Sequence, residues 1–178
     1  MLKQLIRSID VFKSKRKIIK KAKYLGNNIV INDKVKINSN TYIGNNVGIN
    51  GLIIRENGEV EIGNNVSIAK GCLILTGNHN YNTGLPYGSE NIYKKVKIED
   101  NVWIGQNVTI LGGVTIGEGA IIQAGSVVVW DIPKLALAGG NPAKPFKYRD
   151  EKLYNEMKLK NLYHIFKAKK KYIINSIK

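Results

Sequence analysis

The stretch Asn101-Val-Trp-Ile-Gly-Gln-Asn-Val-Thr-Ile-Leu-Gly-Gly-Val-Thr-Ile-Gly-Glu-Gly-Ala repeats one unit of six residues and runs on through Ile122 to Val128. An aliphatic residue returns at Ile104, Ile110, Ile116, Ile122 and Val128, with Val108, Val114, Ala120 and Ser126 two positions before the later ones. A helix does not bring i, i+6 and i+12 to one face, and Asn, Gly and β-branched residues are weak helix formers. In-out alternation such as Val102 and Ile104 makes a very short strand. Three such strands close one triangular coil of about 18 residues, and coils stack ~4.8 Å apart. The stretch therefore predicts a β-solenoid.

Working outward, the same phase holds at Leu25, Ile31, Ile37, Ile43 and Ile49, then at Ile62, Ile68, Ile74 and Ile98. The pairs Asn27-Asn28, Asn45-Asn46 and Asn64-Asn65 suit corners, where Asn and Gly accept left-handed backbone. The repeat fails twice. One residue is inserted near Asn57-Gly58, a tight-turn pair. Residues 76–97 keep the spacing but place Asn78, Asn80 and Pro86 where apolar or small residues belong, so they read as a projecting loop. Errors in a strict repeat are candidate functional sites.

The chain has 178 residues and a net charge of +15. That charge invites a nucleic-acid reading until it is located. Residues 1–24 carry +8, residues 25–148 carry +1 and residues 149–178 carry +6. The repeat region has no basic stripe interleaved with aromatics, so the expected partners exclude nucleic acid. Three segments follow: a basic amphipathic N-terminal helix over 1–24, the solenoid over 25–148, and a basic C-terminal helical tail over 149–178. Leu2, Leu5, Ile6, Ile9 and Phe12 make one apolar helical face. Asp150 is a candidate cap, and Leu162, Ile165, Phe166, Ile173 and Ile177 suggest an apolar stripe flanked by Lys169-Lys170-Lys171. These helices are expected to cap the solenoid. The sharper alternative is contact of the basic ends with an anionic membrane. No apolar run reaches the ~18 residues of a membrane span, and the N-terminal charges are too interleaved for a signal-peptide core. A cytoplasmic protein, possible at the inner membrane face, is expected. The single Cys excludes a disulfide framework, and Cys72 reads as a buried structural thiol.

The ordered series of Asn101 to Ala120, Ala124-Gly-Ser-Val-Val-Val-Trp-Asp-Ile-Pro and Gly140-Asn-Pro-Ala-Lys-Pro resembles the hexapeptide-repeat acyltransferases, in the branch of galactoside, maltose and polysaccharide O-acetyltransferases. The resemblance covers roughly residues 25–148. It implies a left-handed parallel β-helix, acetyl-CoA as acyl donor, no metal, and a homotrimer with donor and acceptor between adjacent solenoids. It also implies a catalytic base at His79, which follows Thr76-Gly77 with Asn78 inserted and lies 24 residues before Trp103-Ile104-Gly105. Imidazole suits proton transfer near neutral pH. The residue orienting His79 stays open among Asn80, Tyr81 and a backbone carbonyl.

For the donor, the resemblance implies Trp103, Gly105, Ala124 and Ser126 along the pantetheine, and Lys144 and Lys147 at the nucleotide phosphates. Trp130 stands where the family often has Lys. For the acceptor, Asn50, Arg55, Asn80 and Tyr81 are candidates. The expected reaction is acetyl transfer to a hydroxyl of a sugar or surface polysaccharide. The alternatives are N-acetylation of an amino sugar, O-acetylation of an antibiotic, or a non-enzymatic solenoid serving as scaffold or binding module. A metal-dependent relative needs three His ligands, and His79 stands alone in the repeat region.

Overall fold

The computed structural model describes residues 2–164 and 173–175. Helix α1 (Leu2–Lys21) precedes the solenoid. The first coil is β1 (Tyr24–Leu25), β2 (Ile29–Ile31) and β3 (Val35–Lys36); the second is β4 (Thr41–Ile43), β5 (Val47–Ile49) and β6 (Leu52–Arg55). The third is β7 (Val60–Ile62), β8 (Ser67–Ile68) and β9 (Cys72–Leu75), followed by a hairpin, β10 (Gly77–His79) and β11 (Asn91–Tyr93). The fourth is β12 (Val96–Ile98), β13 (Trp103–Ile104) and β14 (Thr109–Leu111); the fifth is β15 (Thr115–Ile116), β16 (Ile121–Ile122) and β17 (Val127–Val128). Ile132 and β18 (Ala136–Gly140) begin a sixth coil before β19 (Ala143–Tyr148) turns back. Helix α2 (Glu151–Leu159) and β20 (Ile173–Ile174) complete the described elements.

The strands sort into three sheets. Sheet A is β1-β4-β7-β12-β15, sheet C is β3-β6-β9-β14-β17, and sheet B runs β20-β2-β5-β8-β13-β16-β18-β19. Within these three sheets pairing is parallel except where β19 and β20 close the two ends of sheet B, and the β10–β11 hairpin forms a separate antiparallel pair. The register explains the sequence period. Ile31, Ile49, Ile68, Ile104 and Ile122 stack on sheet B, and Ile43, Ile62, Ile98 and Ile116 on sheet A. Ile54, Ile74, Ile110 and Val128 stack on sheet C. These three columns fill the interior, and a truncation such as Leu or Ile to Ala in a close-packed column typically costs about 2–5 kcal/mol.

The corners divide their labour between two residue types. Asn28, Asn46, Asn65, Asn101 and Asn107 carry positive φ, so Asn supplies the left-handed turn. The Gly after Ile does not turn the chain. A Cβ on Gly44 would sit 2.7 Å from the Gly63 carbonyl oxygen, so Gly there permits the coil above to approach. On the corner between sheets A and B the asparagines form a ladder. Asn28 Nδ2 donates to Asn46, Asn46 to Asn65, and Asn65 to Asn101 at 2.8–3.1 Å.

The N-terminal end is covered by α1. Val11 and Ile18 of α1 are buried against the first coil, and Ser14 Oγ accepts the Val35 N–H at 2.9 Å, satisfying an edge donor. The sequence expectation for this helix needs correction. Ile9 and Phe12 are exposed, and the packed face is Val11, Ser14 and Ile18, on the opposite side. The side chains of Leu2, Leu5 and Ile6 lie outside the described residues. At the other end Asp150 caps α2 by accepting the Leu153 N–H at 2.7 Å, as its position predicts. The helical tail is shorter than expected. Helix α2 ends at Leu159, exposed Leu162 follows it, and Ile173 lies in a strand paired with Val30. Ile165, Phe166, Lys169–Lys171 and Ile177 lie outside the described residues.

Candidate active site

The corner between sheets C and A is where the repeat opens. Stacked corner residues of adjacent coils lie 18 or 19 apart in sequence, as Asn28–Asn46 and Asn46–Asn65 do, whereas Asn64 and Asp100 are 36 apart. One coil's worth of chain has therefore left the stack between β9 and β12, while β7 pairs directly with β12 beneath it. Because that length is a whole coil, the phase survives in the sequence.

Thr76 fixes the base of this excursion. Fully buried, its Oγ1 donates to the Arg55 carbonyl at 2.7 Å and accepts the Gly58 N–H at 3.0 Å. Its carbonyl accepts the Lys94 N–H at 2.8 Å, closing the two strands. In the hairpin, Gly77 pairs with Tyr93 and His79 with Asn91. His79 is exposed, and its ring stacks on Tyr87 with centroids 4.0 Å apart and planes 6° from parallel. Among the described residues no hydrogen bond to the imidazole nitrogens is seen, so none of the sequence candidates orients it through one. Asn80 is occupied with the loop itself: its Oδ1 accepts the Asn82 N–H and its Nδ2 reaches Glu90. Tyr81, Leu85, Tyr87 and Tyr93 are exposed, which gives the hairpin an apolar outer surface.

The other irregularity resolves into two. The register of β3 with β6 and of β4 with β7 makes the corner after Ile49 one residue shorter and the corner after β6 two longer. The long corner turns at Glu56, with φ +62°, rather than at Asn57-Gly58. This separates Arg55 from Asn50 among the acceptor candidates. Arg55 stands at the hairpin base, paired in register with Leu75. Asn50 lies on the corner between sheets B and C, where its Oδ1 accepts from Asn32 at 2.7 Å.

That B–C corner holds the small residues. Gly105, Ala124 and Gly125 fall there, and Gly125 has nothing within 4 Å of where a Cβ would point. A Cβ on Gly105 would meet the Ala124 backbone nitrogen at 2.6 Å, so that glycine is required by stacking alone. The Ser126 side chain points away from that corner. It is buried, its Oγ donates to the Gln123 carbonyl and accepts the Gly140 N–H, and it lines no surface. Lys144 and Lys147 are exposed on β19 and carry no ion pair among the described residues. Trp103 is 54% exposed on the outer face of sheet B. It lines a groove of about 550 Å³ with Asn65, Tyr154, Met157, Tyr163 and His164, apart from the B–C corner. Trp130, exposed, sits on the same C–A side as the hairpin.

Beside that groove a polar knot ties α2 to the asparagine ladder. Asn101 donates to the Tyr154 hydroxyl at 2.8 Å, and that hydroxyl donates to Glu118 at 2.9 Å, which Lys158 also meets. Burial chiefly pushes the Tyr154 phenol up to about 12. For Glu118 burial raises the carboxyl, but hydrogen bonds from Lys158 and Tyr154 outweigh it and hold it below the usual range. Cys72 is buried, its thiol pushed up by desolvation and directed at the Ala69 and Gly105 carbonyls, which is the structural role its repeat position indicates.

Residues 95–129 match the family described as bacterial transferase hexapeptide (six repeats). A Saccharomyces cerevisiae protein named as an acetyltransferase is 43% identical over 127 residues, 71% of this chain and 59% of its own length. The chain thus spans less than two thirds of that relative. A hexapeptide-repeat-containing acetyltransferase of Vibrio cholerae superimposes with a TM-score of 0.70 at 28% identity, covering 80% of this chain and 87% of that one. A maltose O-acetyltransferase of Clostridium difficile gives a TM-score of 0.65 at 34% identity over 72% of this chain and 70% of its own. With the same stacked coils and these matches, the chain belongs to the hexapeptide-repeat acyltransferase family.

Proposed function

We propose that this protein transfers acetyl from acetyl-CoA to a hydroxyl of a sugar or surface polysaccharide, with His79 as general base. The observation that carries the reading is the His79 hairpin: one coil's worth of chain is ejected, pinned by Thr76, and used to present an imidazole whose nitrogens have no hydrogen-bond partner among the described residues. His79 takes the proton from the acceptor hydroxyl as its oxygen adds to the thioester carbonyl. The carbon–sulfur bond then breaks, and the imidazolium returns the proton to the coenzyme sulfur. A thioester is activated enough that this route needs no covalent enzyme intermediate.

Ala124 and Gly125 offer a flat corner for a pantetheine chain, and Lys144 and Lys147 are cations available to phosphates. The solved Vibrio cholerae relative has also been crystallised with acetyl coenzyme A. His79 and the small-residue corner lie at opposite ends of the sheet C strands, so one chain does not bring them together. A homotrimer, in which the hairpin of one copy meets the B–C corner of the next, joins them, and the apolar surface of Tyr81, Leu85 and Tyr93 suits such a contact. Arg55, at the hairpin base, is better placed for the acceptor than Asn50.

The test is release of coenzyme A thiol from acetyl-CoA across sugar, amino-sugar and antibiotic acceptors, with sedimentation giving the oligomeric state. Turnover with a sugar hydroxyl by a trimer is expected. Acceptor-independent binding of acetyl-CoA with turnover only on amines would overturn the O-acetylation reading.

A further inference from the structure

Helix α1 has two faces, and the solenoid uses one. Val11, Ser14 and Ile18 are buried against the first coil, which fixes the helix in orientation. On the far side Ile9, Phe12 and Ile19 are exposed at 44, 59 and 37%. Ile9 and Phe12 belong to the apolar stripe that the sequence places along residues 2–12. With helical spacing of 100° per residue, these three lie within one quadrant, and Arg16 and Lys20 fall on or beside the same stripe. Lys13 and Lys17 line its border and are exposed.

The charge at this end is one-sided. Residues 13–23 hold seven basic and no acidic residues. Lys34 and Lys36 of the first coil add to them, close to Lys13 and Lys17 around a shared cleft. The acidic groups facing this end are Asp10, which lines that cleft, and Asp33, which is bridged to Lys70 at 3.1 Å. An apolar stripe bordered by cations, held outward on a rigid platform, is the chemistry of an interfacial helix. A second copy of the same face is a poor occupant, because like charges would meet. A nucleic-acid phosphate backbone would answer the cations but gives Phe12 and Ile9 nothing apolar to enter.

We propose that the outer face of α1 docks on an anionic lipid surface, with Ile9, Phe12 and Ile19 entering the headgroup boundary and Lys13, Arg16, Lys17 and Lys20 meeting the anionic headgroups. This stands independently of the acetyl-transfer reading. It would bring the enzyme to acceptors held at a membrane.

The full chain is sedimented with vesicles of phosphatidylcholine alone and of phosphatidylcholine with 30–40% phosphatidylglycerol, the anionic fraction being set at roughly that level to give a clear surface potential. Two variants are carried alongside: Ile9→Ser with Phe12→Ser, and Lys13→Gln with Arg16→Gln and Lys17→Gln. All five positions are exposed, so unchanged thermal midpoints show that the fold is intact. Wild type is expected on anionic vesicles only, with partitioning reduced about tenfold or more in each variant. Equal binding to neutral vesicles, no binding to either, or undiminished binding of the serine variant would overturn the proposal. So would a preference for duplex DNA over anionic vesicles at the same salt.

Discussion

Two corners of one solenoid treat polar side chains in opposite ways. Between sheets A and B, Asn28, Asn46, Asn65 and Asn101 satisfy one another up the stack, and the last is tied to Tyr154 and Glu118. Between sheets C and A, the chain leaves the stack and holds His79 outward against Tyr87. Closed networks rigidify a fold, whereas a side chain left for a partner outside the chain is available for chemistry. The first corner should therefore govern stability and the second activity.

The largest test of that division removes residues 77–94, which are one coil in length. Sheet A already pairs across the gap through Val60–Val96, so the shortened chain is expected to unfold cooperatively at a midpoint within a few degrees of wild type. Its acetyl-transfer rate should fall about a thousandfold or more, the scale of a lost general base with its positioning. Unfolding of the shortened chain at room temperature would break the comparison.

On the other corner, Asn101→Ala removes the acceptor of the Asn65 amide and the donor to the Tyr154 hydroxyl, and places Ala at φ +61°. A loss of about 1–3 kcal/mol by denaturant titration is expected, with turnover little changed. An activity loss larger than the stability loss would join the two regions.

Acid should act through the same knot. The folded Glu118 carboxyl is held below its ordinary value, so the stability it contributes is present above the unfolded carboxylate range and is lost as pH falls through the folded value. Glu99, held down first by Lys97, acts in the same direction. Thermal midpoints followed downward from pH 6 should fall in the wild type and fall less in Glu118→Gln. Equal slopes would remove Glu118 from the account. A smaller effect is expected for Tyr87→Leu, which deletes the stacked ring but keeps an apolar neighbour: about a several-fold drop in turnover with an unchanged midpoint.

The solenoid was legible because Ile31, Ile49, Ile68, Ile104 and Ile122 must recur wherever coils stack in register. The second coil was harder to read. Ile54 replaces the in-phase position because a shortened corner and a lengthened one nearly cancel. The packed face of α1 is not legible in the sequence because hydrophobicity marks a stripe without saying what covers it; Ser14, a polar residue, lies on the packed side. Tyr87 beside His79 depends on the hairpin register, for which six-residue periodicity carries no signal. Ser126 matched a motif, but its burial follows from its in-facing repeat position, a reading that the residue pattern itself supported.

The central claim is that His79 moves the acceptor proton. The most direct measurement compares kcat of wild type, His79→Ala and His79→Asn at saturating acetyl-CoA with the best sugar acceptor. The account predicts a fall of about 10²–10⁴ in both variants, with acetyl-CoA affinity and thermal midpoint unchanged. Turnover within a few-fold of wild type in His79→Ala would contradict it.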